Sequence, residues 1–175
     1  DGSGAPGVIT HMAPGQNHLR LIAHGKTAHA GLEPEKGVNA IVLAGKALAE
    51  MPQGRIDFET TCNVGLIKGG TATNIVADRV EITAEARSRN MEKLEKLTSE
   101  ITGTFARIVA EGGGRAEISV KKMYEPFVLA DDSTVIVTAV RAAKALGLPT
   151  RLEGTGGGSD ANFFNRYGIP SAILG

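Results

Sequence analysis

Residues 79–114 have the sequence RVEITAEARSRNMEKLEKLTSEITGTFARIVAEGGG, in which a strand pattern is followed directly by a helix pattern. Polar and apolar side chains alternate over residues 79–87, as is typical of a strand with one buried face. Asn90 is a good helix N-cap, and the glycines that begin at Gly112 would end the helix. One apolar stripe recurs at helical spacing: Leu94, Leu97, Ile101, Phe105 and Ile108.

The same kinds of pattern extend in both directions from this stretch. Strands are predicted at 19–24 and 59–68, with a helix at 37–51 between them, and a further strand at 116–123. The resulting order is β-α-β-β-α-β. This order predicts a ferredoxin-like α+β layer, an antiparallel sheet with two helices on one face.

The remainder of the chain has a different pattern, in which helices and short strands alternate. They are predicted at 132–146, 149–153, 160–167 and 170–174. Such alternation is typical of a parallel, doubly wound α/β sheet.

We therefore predict three segments. Residues 17–124 form the α+β layer, which is inserted into a partial α/β domain made of residues 1–16 and 125–175. The chain opens at Asp1 without a methionine and stops after an apolar strand, which indicates a piece of a longer protein.

Composition excludes several classes of protein. Lys and Arg number 19, as do Asp and Glu, so no basic surface argues for a nucleic-acid partner. Aromatic residues make up only 4% and tryptophan is absent, which argues against base-stacking platforms. No apolar run is long enough to predict a membrane span. The single cysteine, Cys62, excludes an internal disulfide and suits a reducing cytoplasm.

Four short segments set polar groups beside glycine or at the end of a strand, where backbone can approach a ligand closely. They are GKTAHAG at 25–31, GGTATN at 69–74, EARS at 85–88 and GGGSDAN at 156–162.

In this order and spacing, the four segments resemble the dinuclear-zinc amidohydrolases and peptidases related to aminoacylase and to glutamate-releasing carboxypeptidases. Residues 31–40 and 51–57 also resemble the peptidase T branch of that family. The resemblance implies that residues 17–124 are a lid and dimerisation domain and that the rest is part of a zinc-peptidase domain. Two zinc ions would activate a water for attack on an amide. Most of their ligands, including a His-x-Asp motif and a Glu-Glu pair, would lie outside this chain.

Two residues are matched to catalysis by this resemblance. Asp1, which precedes Gly2, resembles a zinc-binding carboxylate, although an Asp-Gly pair taken alone is a turn. His29 resembles a lid histidine that reaches across a dimer to the developing oxyanion. The alternative for His29 is an ordinary surface or hydrogen-bonded histidine.

A second group is matched to substrate binding. Asn74 and Arg87, thirteen residues apart, resemble a lid pair that holds a substrate carbonyl and carboxylate. The alternatives are a turn asparagine and a surface ion pair of Arg87 with Glu85 or Glu81.

The glycine loop before the last helix is matched in the same way. Gly157, Gly158, Ser159 and Asp160 would line the substrate pocket, with Ser159 or Asp160 acting as the N-cap. A phosphate-binding loop is disfavoured because the stretch 154–160 contains no Gly-Lys-Ser/Thr sequence. Arg55 and Asp57 match the branch, but we assign them only a structural turn.

The resemblance implies a cytoplasmic, homodimeric, zinc-dependent exopeptidase that hydrolyses short peptides, of which this chain is a portion. The chain alone is predicted to be inactive. Two alternatives remain open at this point. One is a non-catalytic dimerisation or binding module that has lost the metals, and the other is an amino-acid deacylase of the same family.

Overall fold

The computed structural model describes residues 4–175. The elements in chain order are β1 (Val8–Ala13), β2 (Gly15–His24), α1 (Ala40–Glu50), β3 (Gly54–Arg55), β4 (Thr60–Gly69), β5 (Arg79–Ser88), α2 (Met91–Glu111), β6 (Arg115–Tyr124), β7 (Phe127–Val128), α3 (Thr134–Ala145), β8 (Arg151–Gly154), α4 (Asp160–Arg166) and β9 (Ile173–Leu174).

The larger sheet has five antiparallel strands in the order β3-β4-β5-β2-β6. Apart from the two-residue β3, it is built from β2, α1, β4, β5, α2 and β6, which confirms the predicted β-α-β-β-α-β layer. We call Gly15–Tyr124 the lid domain, and the described residues on either side of it the flanking unit.

The core of the lid domain lies between its sheet and its two helices. On β5, the alternate residues Val80, Ile82 and Ala84 are buried, as their pattern predicts. The stripe on α2 is buried against them, and each large apolar side chain in it contributes roughly 1.5–3 kcal/mol. The side chain of Asn90 accepts a hydrogen bond from the Lys93 amide at 3.1 Å, so the predicted N-cap is confirmed.

The smaller sheet belongs to the flanking unit. Strands β1 and β8 are parallel, whereas β7 and β9 pair with β1 in antiparallel fashion, so this sheet is mixed and not parallel throughout as its pattern predicted. The reason lies in β7, which leaves the lid domain and returns beside β1. The sequence prediction contains no strand at β1, and the two-residue strands β3 and β7 are too short to show a period.

The two connections between the lid domain and the flanking unit lie side by side. Only Pro14 separates β1 from β2, and only Glu125 and Pro126 separate β6 from β7. Ala13 pairs with Phe127 on one side of these residues. On the other side, Gln16 pairs with Tyr124. A two-stranded ribbon therefore crosses between the two sheets.

Candidate functional site

The glycine loop, residues 154–160, lies where β1 and β8 end. These strands are parallel, so their carboxyl ends lie at the same edge of the sheet, which is where α/β proteins bind ligands. The Ser159 hydroxyl accepts the Ala161 amide at 3.2 Å, so Ser159 is the N-cap of α4. Asp160 is exposed in the first turn, and the Gly157 amide is bound by the Thr155 hydroxyl at 3.1 Å.

Gly158 brings this loop directly against the lid domain. A Cβ atom on Gly158 would overlap the ring and hydroxyl of Tyr124, so no other residue fits without displacing the ring. Burial raises the pKa of Tyr124, which keeps its hydroxyl protonated at neutral pH. The ring also meets Phe163 of α4 edge to face.

Arg87, near the end of β5, connects the lid domain to the same loop. Its Nη1 donates to the carbonyl oxygen of Gly156 at 3.2 Å. Its Nε and Nη2 donate to the two carboxylate oxygens of Glu85 at 3.0 and 3.1 Å, so the ion pair with Glu85 that was the alternative for Arg87 is present. Burial is the largest single effect on the pKa of Arg87 and lowers it, but the hydrogen bonds to Glu85 and the charge interactions with Tyr124 and Glu85 together raise the pKa, so the guanidinium is charged. These bonds use three of its five N–H donors.

A cleft of about 330 Å³ lies between the glycine loop and the β3–β4 hairpin. Three guanidinium groups line it, those of Arg55, Arg87 and Arg89, and Glu59 is the single carboxylate among the lining residues. The Glu59 carboxylate is already bound by Lys93 at 2.7 Å. The cleft therefore has a positive balance of charge that suits an anionic ligand.

The hairpin is held in place by contacts that the sequence pattern did not reveal. Asp57 accepts the Glu59 amide at 2.9 Å and Lys93 at 2.9 Å, which confirms its role in a structural turn. Lys93 lies 4.9 Å from the centre of the Phe58 ring. Arg89 donates to the Phe58 carbonyl at 3.2 Å. Arg55, Phe58 and Arg89 are cleft residues that we missed, and of these only Arg55 lies in a segment, 51–57, that the sequence analysis singled out.

His29 lies in the loop between β2 and α1, beside Asn74. The Ala30 amide donates to the Asn74 carbonyl at 2.9 Å, and His29 forms an isolated bridge with Ile75. The Gly31 amide donates to His29 Nδ1 at 3.2 Å. Because Nδ1 accepts, the neutral ring carries its proton on Nε2 and can donate from that atom. The imidazole is exposed.

The structure does not bring all the predicted residues together within one chain. His29 and Asn74 lie before β5, while Arg87 lies near its end beside the glycine loop. The ten residues of β5 span roughly 30 Å, at about 3.3 Å per residue. One small substrate cannot contact both groups of a single chain.

Asp1 lies outside the described residues. Within residues 4–175, no three His, Cys, Asp or Glu side chains lie close enough to share a metal ion. The described residues therefore do not fit a zinc site by themselves. No helix in the same range is long and apolar enough to cross a membrane.

Residues 13–112, more than half of the chain, match a family described as the peptidase dimerisation domain, M20_dimer. The chain belongs to this M20 family. The match covers the lid domain from β2 through α2, which includes His29, Asn74 and Arg87.

Two solved M20-type structures are close to the chain over almost all of its length. The aminopeptidase PepT from Bacillus cereus is 48% identical with a TM-score of 0.95, over 99% of this chain and 47% of that one. A tripeptidase from Staphylococcus aureus is 42% identical with a TM-score of 0.97, over 100% of this chain and 47% of that one.

A more distant curated relative has a different named activity. The succinyl-diaminopimelate desuccinylase of Helicobacter hepaticus is 28% identical over 163 residues, which is 89% of this chain and 40% of the relative. The chain thus spans about half the length, or less, of the proteins that it matches.

Proposed function

We propose that the whole protein is a zinc-dependent exopeptidase that hydrolyses short peptides. The observation that carries the proposal is the contact of Arg87 with Gly156, which closes a positively charged cleft at the carboxyl ends of β1 and β8. The identity to the aminopeptidase PepT and to the tripeptidase supports the choice of peptides as substrates.

The cleft is suited to a peptide carboxylate. Arg87 is oriented by Glu85 and keeps two N–H donors that neither Glu85 nor Gly156 uses. A guanidinium can present paired donors to a carboxylate, and Arg55 and Arg89 add positive charge nearby. The exposed backbone at Gly156, which lines the cleft, would contact the rest of the substrate.

His29 would act from a second subunit, together with Asn74. The edge of β4 beyond Cys62 is not covered by β3, which pairs only with Thr61 and Cys62. If two such edges paired about a twofold axis, the strands would run antiparallel. The His29 end of one lid domain would then lie toward the Arg87 end of the other. This arrangement supplies the Nε2–H donor that the cleft of one chain lacks.

The surface around this edge is suited to a homodimer. Leu66 and Ile67 on β4 are 57% and 53% exposed, and Ile41 and Val42 on α1 are each 49% exposed. The side chain of Ile41 lies beside Gly70, the residue after β4, so the helix and the end of the strand are neighbours at this edge of the sheet. Membership of a dimerisation-domain family supports the same proposal.

Zinc, when bound, would lower the pKa of a water molecule and polarise the amide carbonyl. Its ligands would come from outside residues 4–175, with Asp1 as the one candidate in this chain. The roles proposed for Arg87, His29 and the glycine loop do not depend on how the metal is held. We also propose a cytoplasmic location, since Cys62 is unpaired and buried.

The test is an assay of the full-length protein, purified with zinc, on matched substrates. Tripeptides, dipeptides and N-succinyl or N-acetyl amino acids are each incubated with the protein, and the products are identified by mass spectrometry. Release of the terminal residue from peptides, which a chelator abolishes, is the expected result. Preference for acylated amino acids would instead support a deacylase, the candidate that the desuccinylase relative favours. No hydrolysis of any substrate would support the non-catalytic module.

A further inference from the structure

Asn162 occupies an unusual place between the two connections to the lid domain. It lies in the first turn of α4 and is 1% exposed. Its Nδ2 donates to the carbonyl of Pro14 at 2.9 Å and to the carbonyl of Glu125 at 2.8 Å. One side-chain amide therefore binds both strands of the ribbon that joins the lid domain to the flanking unit.

The position of these two carbonyls explains why a side chain is needed. The ribbon pairs at Ala13 with Phe127 and again at Gln16 with Tyr124. Between these pairs, Pro14 and Pro126 have no N–H to donate, so the ladder is interrupted on both strands. Buried carbonyl groups require a partner, and Asn162 supplies both donors. No backbone hydrogen bond therefore joins the two strands at the point where the ribbon could bend.

The other atom of the same amide fixes the glycine loop. Asn162 Oδ1 accepts the Ser159 amide at 2.9 Å and completes a capping box at the start of α4. The loop that contacts Arg87 and Tyr124 is thus hydrogen-bonded to the residue that holds the ribbon.

We infer that Asn162 is a positioning residue that couples the angle of the lid domain to the conformation of the glycine loop. When the ribbon bends, the Pro14 and Glu125 carbonyls move relative to each other. The amide of Asn162 must then follow them or lose a bond. When the side chain follows them, its Oδ1 moves relative to the Ser159 amide that it holds. The inference does not depend on the proposed reaction, because it can be tested without substrate.

Asn162→Asp separates this role from simple helix capping. Aspartate has nearly the same shape, keeps an oxygen for the Ser159 amide and is favourable in the first turn of a helix, so a capping role predicts little change. It has no N–H donor, however, and places a negative oxygen against two carbonyls. The coupling role therefore predicts a loss of lid positioning. Asn162→Ala, which removes both functions, is the second variant.

Asn165 offers a matched control one turn along the same helix. Its Nδ2 also donates to two carbonyls, those of Ala161 and Ser171, each at 2.8 Å, but both belong to the flanking unit. Asn165→Asp thus removes the same number of donors without touching the ribbon.

The experiment uses the full-length protein with spin labels at exposed positions, Lys96 in the lid domain and Lys144 in the flanking unit. Labelled protein is diluted with unlabelled protein so that only distances within one chain are measured. Hydrogen exchange of the glycine loop is followed in parallel on unlabelled samples.

We expect a broadened distance distribution in Asn162→Asp and Asn162→Ala, and an increase of about tenfold in exchange of the glycine-loop amides. Asn165→Asp is expected to keep the wild-type values of both. A wild-type distance distribution in Asn162→Asp would reduce Asn162 to a helix cap and overturn the inference. Broadening without faster loop exchange, or equal broadening in Asn165→Asp, would overturn the coupling.

Discussion

Arg87 donates a hydrogen bond from Nη1 to the carbonyl oxygen of Gly156 at 3.2 Å, across the boundary between the lid domain and the flanking unit. The guanidinium is held from the other side by Glu85, so its orientation is fixed before any ligand enters the cleft. Rigid donors lose less entropy on binding than mobile ones. Arg87 is therefore the residue at which the proposed substrate binding is most directly tested.

In the full-length protein, Arg87→Lys is expected to lower kcat/KM for peptides by roughly 10- to 100-fold, because lysine cannot present paired donors. The thermal unfolding temperature should change little. Arg79→Lys is the control, since Arg79 also pairs with a glutamate on β5 but at the opposite end of the strand. Equal values of kcat/KM for Arg87→Lys and Arg79→Lys would show that Arg87 only forms a surface ion pair and does not bind the substrate.

Mixed dimers test whether His29 serves the neighbouring subunit. His29→Ala and Asp1→Ala should each be nearly inactive alone. Co-expressed chains reassort so that about half of the dimers are mixed, each with one intact site of two, and activity should recover to roughly a quarter of wild type.

His24→Ala is the matched control for that experiment. His24 lies at the end of β2, before the loop that carries His29, and contacts Glu117 at 3.0 Å, so its variant should stay active without a partner. Verified mixed dimers of His29→Ala and Asp1→Ala that show no recovery would place His29 in its own subunit's site or outside catalysis.

Leu66→Arg is expected to convert the dimer into a monomer, because it places a charge on the open edge of β4 that would pair across the proposed twofold axis. Val120→Arg, on the other edge strand of the lid sheet, is the control and should remain dimeric. Sedimentation equilibrium measures the mass of each variant. A dimeric Leu66→Arg would move the proposed interface to another surface.

Gly158→Ala is expected to destabilise the protein by about 1–3 kcal/mol, because its methyl group overlaps Tyr124. Gly156→Ala should be close to neutral, since a Cβ at that position meets no atom within 4 Å. Thermal unfolding of the two variants gives the comparison. If Gly158→Ala and Gly156→Ala change the unfolding temperature equally, the contact with Tyr124 does not require glycine at position 158.

Asp57 gives a prediction for acid stability. Hydrogen bonds from Lys93 and from the Glu59 amide lower the pKa of its carboxyl group from 3.8 to about 2. A lowered folded-state pKa stabilises the fold above about pH 4, and the contribution is lost as the pH falls toward 2.

Asp57→Asn should therefore reduce the free energy of unfolding at pH 7, and its difference from wild type should shrink as the pH falls from about 4 to about 2. Urea unfolding at a series of pH values measures this difference. Asp132→Asn, at an exposed position before α3, is the control and should show little difference at any pH. A difference for Asp57→Asn that does not vary with pH would exclude the ion pair as its cause.

The lid fold was predictable because its elements are long and their periods are clear. The alternation on β5 and the cap at Asn90 each correspond to a feature of the structure. The flanking unit was harder, since the pairing of β7 and β9 with β1 depends on where the chain returns and not on local pattern.

The site was predictable only in parts. Motifs identified His29, Asn74 and Arg87, but their spacing was interpreted as a pair that meets one substrate. A strand of ten residues separates its ends by roughly 30 Å, so the separation of Asn74 from Arg87 could have been deduced from the predicted strand. The positions of Arg55 and Arg89 in the cleft could not have been deduced from the sequence, because they depend on how the hairpin packs against the glycine loop.

Because Ala13 and Phe127 are neighbours, the lid domain could be removed or exchanged as a single unit. Because the chain leaves and re-enters the smaller sheet on paired strands, a two-residue hairpin turn could replace the whole of Gly15–Tyr124 without moving β1 or β7. Conversely, lid domains of relatives could be exchanged at the same two joints. Recombination at this ribbon offers a route by which a catalytic scaffold could acquire a new oligomeric state or a new substrate in a single step.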